Sequence, residues 1–121
     1  MKTVLLVEDC DDIRELYGAL LRRAGYEVHE AENGKSALDQ LHQMRTNPCL
    51  VLLDLMMPIM TGVELLKVLD ESHRLASMPV VVLSAGGVES DAPQATRFIR
   101  KPVKTEVLLT VVREFCGSPE F

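Results

Sequence analysis

Three short runs constrain this chain more than any other feature: "TVLLV" at 3–7, "LVLL" at 50–53 and "VVVL" at 80–83. None alternates apolar with polar residues, and β-branched and aliphatic side chains fill them. A strand with one wet face alternates, whereas a strand covered on both faces does not. These runs are therefore expected to be the central strands of a parallel sheet held between layers of helix. Two weaker segments, "YEVHE" (26–30) and "RFI" (97–99), carry charge or alternate, which suits the edges of the same sheet.

Segments of helical period lie between the runs. Ile13, Leu16, Tyr17, Leu20, Leu21 and Ala24 recur at steps of three and four and are expected to form one buried face. Ala37, Leu38, Leu41 and Met44 give a second helix, and Val63, Leu66 and Leu69 a third. Thr61-Gly62-Val63-Glu64 before that third helix has the form of a capping box. Val107, Leu108, Val111, Val112 and Phe115 give the last, with Gly117 and Pro119 as stop signals. Asp11 and Asp12 are expected to cap the first helix. Strand–helix alternation with right-handed crossovers implies a doubly wound α/β sheet of five strands in the order 2-1-3-4-5. The interval 85–96, "AGGVESDAPQAT", holds Gly86, Gly87 and Pro93 and leaves room only for a shortened or irregular fourth helix.

At 121 residues the chain fits one domain, with a core large enough to stand without metal or disulfide. That domain is expected over 1–117, and 118–121 reads as a tail that resembles a cloning remnant as much as native sequence. No apolar run is long enough to span a bilayer and no cleavable signal follows Met1, so a cytoplasmic protein is expected. A net charge of −5 without any basic block removes direct nucleic-acid binding from the expected functions. Cys10, Cys49 and Cys116 have no metal-ligand spacing, and their odd number points to free thiols in a reducing compartment.

The apolar runs end in polar residues: Glu8 and Asp9 after the first, Asp54 after the second and Ser84 after the third, while Lys101 follows "RFI" in "RKP". In a parallel sheet these ends share one edge, where open α/β folds bind ligands. Glu8, Asp9 and Asp54 would there be three carboxylates repelling one another unless a cation joined them. Oxygen donors without histidine or thiolate select a hard divalent ion, Mg²⁺ or Mn²⁺. An aspartate so placed could attack phosphorus, with the ion and Lys101 neutralising charge on the transferring oxygens and Ser84 hydrogen-bonding one of them. The turn after the first strand is acidic, "EDCDD", and would repel a bare nucleotide or flavin phosphate. His29, His42 and His73 are scattered, and Met56, Met57 and Met60 read as flexible packing rather than a thioether site.

With these motifs in place, "LLVEDCDDIREL", "AENGKSAL", "VLLDLMMPIMTG", "VVVLSA" and "FIRKPV" together resemble the receiver domain of two-component response regulators, of the chemotaxis-regulator type. The resemblance implies a flavodoxin-like fold with Asp54 as phosphoacceptor and Glu8 and Asp9 as the acidic pair. It also implies the carbonyl of Met56 as a further metal ligand. It further makes Ser84 and Phe98 the switch residues, Lys101 the phosphate-pairing lysine and Lys101-Pro102 a cis peptide. A sensor histidine kinase or phosphotransfer protein would be the donor, and the chain a monomer able to dimerise when phosphorylated. Mg²⁺-dependent self-phosphorylation and slow autodephosphorylation, rather than conventional turnover, would be its chemistry. The competing expectation is a pseudo-receiver, a docking module indifferent to phosphate. A dehalogenase-type phosphatase would need an aspartate where this chain has Met56, and a flavodoxin-like electron carrier would be coloured.

Overall fold

The computed structural model of the protein describes residues 2–55, 57, 59–85 and 94–119. Its elements run in the order β1 (Thr3–Val7), α1 (Asp11–Arg23), β2 (Glu27–Ala31), α2 (Gly34–Gln43), β3 (Leu50–Leu53), α3 (Gly62–Glu71), β4 (Val80–Ser84), β5 (Arg97–Arg100) and α4 (Thr105–Cys116). The five strands form one sheet in the order β2-β1-β3-β4-β5, with every ladder parallel. The three uniformly apolar runs are the three central strands, as their lack of alternation requires. The expectation of a short or irregular helix in 85–96 falls largely on residues outside those described.

Side chains of each central strand alternate between two cores. Leu5, Val7, Val51, Leu53, Val80 and Val82 pack with Ala37 and Leu41 of α2 and Leu65, Leu66 and Leu69 of α3. Val4, Leu6, Leu50, Leu52, Val81 and Leu83 pack on the opposite face with Tyr17 and Leu21 of α1 and with Leu108, Val111 and Val112 of α4. Helices on both faces explain why the strands read as continuous hydrophobic runs.

The helix ends show where the expected caps hold and where they do not. Thr61 caps α3 with its hydroxyl accepting from the Glu64 N–H, and the Glu64 carboxylate accepts from the Thr61 N–H, completing the capping box. Asn33 caps α2, its Oδ1 accepting from the Ser36 N–H at 2.8 Å. For α1 the cap position is Cys10, without a side-chain hydrogen bond, and Asp11 and Asp12 lie inside the first turn. They act on the helix dipole there rather than as caps, and Asp11 holds Arg14 at 2.6 Å.

Two further expectations need correction. Leu16 is 58% exposed rather than core: Tyr17 and Leu21 turn inward, while Leu16 lies with Ile13 along an open apolar groove bordered by Pro102 and Val103. Cys49 and Cys116 are joined as a disulfide, with Cα atoms 5.3 Å apart, and only Cys10 is a free thiol. Sequence separation hid the pairing, because the last helix runs back along the sheet and ends beside the start of β3.

Glycine is required where helices approach the segment after β3. A Cβ on Gly62 would lie 2.4 Å from the Asp54 carbonyl oxygen and 2.7 Å from the Leu55 Cα, both backbone atoms. Alanine in a helix ordinarily gains about 1 kcal/mol over glycine, but rigid backbone cannot yield at these distances. Gly62→Ala is therefore expected to lose about 2 kcal/mol of stability in urea unfolding, where an open helical site would gain.

Candidate functional site

The register of the ladders assembles the site. Val7 is the Cα partner of Ala31 on one side and Leu53 on the other, so Glu8 and Asp54 leave adjacent strands at the same edge. Both remain tethered by one hydrogen bond beyond the strands: Glu8 N–H donates to Ala31 and Asp54 N–H to Val7, each at 3.0 Å. Across the sheet, the Lys101 N–H donates to the Ser84 carbonyl at 2.9 Å, fixing the start of the turn after β5. The Lys101-Pro102 peptide that follows is cis.

Carboxylate oxygens of Glu8, Asp9 and Asp54 lie within 4.8 Å of one another. Glu8 and Asp54 are 3% and 8% exposed, whereas Asp9 faces solvent. The Lys101 ammonium pairs with Glu8 Oε1 and stands 3.8 Å from Asp54 Oδ2. The lysine thus bridges the acidic pair and the central aspartate.

Burial alone would raise the Glu8 pKa, because it disfavours the charged form. The hydrogen bond from Lys101, the lysine charge and the Cys10 N–H outweigh it and hold Glu8 below its ordinary value. Burial likewise opposes charge on Lys101, yet its bond to Glu8 and the nearby Asp54 raise its pKa, so the ammonium stays protonated. The Glu8 backbone is held as well: its carbonyl accepts from Arg14 Nη1 at 2.8 Å.

The charges do not balance. With all three carboxylates ionised, one ammonium leaves two negative charges. At these separations each ionised pair repels by about 3 kcal/mol for an effective dielectric near 20. An all-oxygen donor set with a net charge of −2, partly open to solvent through Asp9, fits a hard divalent ion that keeps water ligands. The donors present therefore suit Mg²⁺ or Mn²⁺ and are unsuited to zinc or copper.

The remaining residues singled out from the sequence fall as follows. Ser84 ends β4, the strand between those that lead to Asp54 and Lys101, and is fully buried. Phe98 lies opposite Val82 in β5, half-buried against the α2/α3 core. Met56, whose carbonyl was the expected fourth ligand, lies outside the described residues. Two contributors went unremarked in the sequence. One is Arg14, which anchors Glu8 from one turn into α1; the other is Gly34, whose N–H donates to the Met60 carbonyl at 3.0 Å and pins the loop after Asp54 to α2. A Cβ on Gly34 would lie 2.8 Å from that same carbonyl. Arg14 had a legible signal, a basic residue one turn after an acidic pair, but charge pairs in helices are too common for it to stand out.

Comparison with known proteins agrees with this geometry. The family model described as the response regulator receiver domain matches residues 4–113. The polar-differentiation response regulator DivK of Brucella anthropi is 28% identical over 97% of this chain and 98% of its own length. Three further curated relatives are longer proteins, of which the chain spans 37%, 48% and 50%. Among solved structures, the chemotaxis protein CheY4 of Vibrio cholerae superposes with a TM-score of 0.85 at 29% identity, covering 95% of this chain and 98% of that one. The response regulator TrrA of Thermotoga maritima, solved in complex with Mg²⁺-BeF, gives a TM-score of 0.83 at 29% identity, covering 95% and 99%. The chain belongs to the response regulator receiver domain family.

Proposed function

We propose that this receiver, over residues 1–117, accepts a phosphoryl group on Asp54 from the phosphohistidine of a sensor histidine kinase or phosphotransfer protein in the cytoplasm. The observation that carries this reading is the convergence of three carboxylates with Lys101 placed 3.8 Å from Asp54. Glu8, Asp9 and Asp54, with the carbonyl of Met56, would hold Mg²⁺ or Mn²⁺, as the Mg²⁺-BeF complex of the related TrrA supports. A bound divalent ion would supply positive charge to the transferring oxygens.

The protein's own groups do the rest. An Asp54 carboxylate oxygen forms a bond to phosphorus while the phosphorus–nitrogen bond to the donor imidazole breaks and its electron pair stays on that ring. Lys101, held protonated by Glu8, neutralises the phosphoryl oxygens, for which it must give up part of its pairing with Glu8. Ser84 then hydrogen-bonds the acyl phosphate and Phe98 turns further into the α2/α3 core, changing the surface around β5 for a partner. β5 suits this role because, among the described residues, it is an edge strand paired on one side.

Incubation with Mg²⁺ and a small acyl phosphate is expected to add one phosphoryl mass, and Asp54→Asn or chelation to abolish it. Lys101→Met should slow the reaction about 100-fold. A folded wild-type chain that stays unmodified, and whose partner affinity is unchanged by Asp54→Asn, would instead be a phosphate-independent docking module.

Charge crowding gives a separate expectation. Without divalent ion, Asp54→Asn relieves repulsion and should stabilise the protein by about 1 kcal/mol in urea unfolding. Adding Mg²⁺ should erase or reverse that gain.

The Glu8–Lys101 pair sets a pH dependence in the ion-free protein. Glu8 is lowered from 4.5, so its contribution is complete above that pH and fades as pH falls through the folded value. In Lys101→Met the ammonium no longer opposes burial and only weaker partners such as the Cys10 N–H remain, so the acid-side fall in urea midpoint due to Glu8 should shrink or reverse relative to wild type.

A further inference from the structure

Cys49 and Cys116 lie at the edge of the sheet opposite Asp54. Cys49 immediately precedes β3, whose far end carries Asp54, and Cys116 is the last residue of α4, whose other end follows Lys101 and Pro102. The bond between them therefore fastens the far end of the last helix to the central strand that bears the acceptor aspartate.

Other contacts hold the same helix. Leu108, Val111 and Val112 already seat α4 against the sheet, and the Tyr26 hydroxyl donates to the Gly117 carbonyl at 2.7 Å just past Cys116. The Cys49 sulfur also stands 3.1 Å from the Thr3 carbonyl oxygen. A disulfide sulfur carries no proton to place there, but a Cys49 thiol does, so the reduced state has a hydrogen-bond acceptor ready. Cα atoms 5.3 Å apart accommodate either state. Cys49 is half-buried and Cys116 is 7% exposed, so Cys49 is the reachable member of the pair.

We infer that Cys49 and Cys116 form a reversible thiol–disulfide modification site that locks and releases the last turn of α4. The oxidant is a small-molecule disulfide. The Cys49 thiolate attacks one of its sulfurs, its S–S bond breaks and one small thiolate leaves. The Cys116 thiolate then attacks the Cys49 sulfur of the mixed disulfide and expels the second. In total the protein's two thiols give up two protons and two electrons, which reduce the small disulfide to two thiols. Excess small thiol reverses the sequence. In a reducing compartment such bonds are characteristically transient and redox-sensing. Release of the bond frees the C-terminal turn of α4 without touching Glu8, Asp9, Asp54 or Lys101.

The test uses the Cys10→Ser chain, which removes the exposed spectator thiol, equilibrated across ratios of reduced to oxidised glutathione and quenched with an alkylating reagent. Mass spectrometry is expected to show two alkylated thiols under reducing conditions and none under oxidising ones, without stable glutathione adducts. The oxidised form should melt about 10 °C higher, as expected for a cross-link closing a loop of 67 residues. Amide exchange in residues 112–117 should slow by roughly tenfold on oxidation. Two alkylatable thiols at every ratio, persistent glutathione adducts, or identical melting and exchange in both states would overturn the inference. Should Cys10→Ser not fold, wild type with Cys10 alkylated under native, non-reducing conditions gives the same count. None of these readouts involves Asp54, so their failure leaves the phosphoryl-transfer reading untouched, and the reverse holds too.

Discussion

The hydrogen bond from the Asp54 N–H to the Val7 carbonyl fixes the register on which the rest of the site depends. It places the end of β3 level with the end of β1, so the carboxylates that follow the two strands meet instead of passing. A slip of one residue in β1 would exchange Leu5 and Val7 with Val4 and Leu6 between the two cores, each of which is packed around its own set. Packing on both faces thus holds the electrostatic crowding at the strand ends in place. The site is costly in charge and secure in position for the same reason.

Crowding is moderated from within by Lys101. It reaches the site from β5, two strands away from β3, through a turn whose first amide is tied to Ser84. Its pairing with Glu8 keeps both groups charged where burial opposes their charge. The residual negative charge suits a divalent cation better than a second lysine, because such an ion would also leave coordination positions for oxygen from outside the protein.

Much of this was legible in the sequence. Non-alternating runs identified the central strands, and charged or alternating segments identified the edges, because the number of covered faces shows directly in the side-chain pattern. Glu8, Asp9, Asp54, Ser84 and Lys101 were legible because a parallel sheet gathers strand ends. What escaped was geometry that no period encodes. Leu16 keeps helical spacing with Ile13 and Leu20 yet lies at the margin of the buried arc, beside a groove that only the folding of Pro102 and Val103 against α1 creates. Cys49 and Cys116 read as unpaired because their proximity follows from the path of the last helix, not from spacing. Lys101 was expected to face the phosphoryl group, and its closest partner in the resting protein, Glu8, depends on side-chain reach that sequence does not show.

The two-sided sheet has a consequence for how such a sequence can drift. Leu5 and Leu6 are neighbours in the chain, yet one packs with α2 and α3 and the other with α1 and α4, and the same holds for Val51 and Leu52 and for Val81 and Val82. Residues that share no side-chain partners couple only through the backbone between them. Each face can therefore exchange its aliphatic side chains in compensated sets without consulting the other, while the backbone between them holds the acidic edge in register. Relatives can consequently share well under half of their residues and still present the same edge.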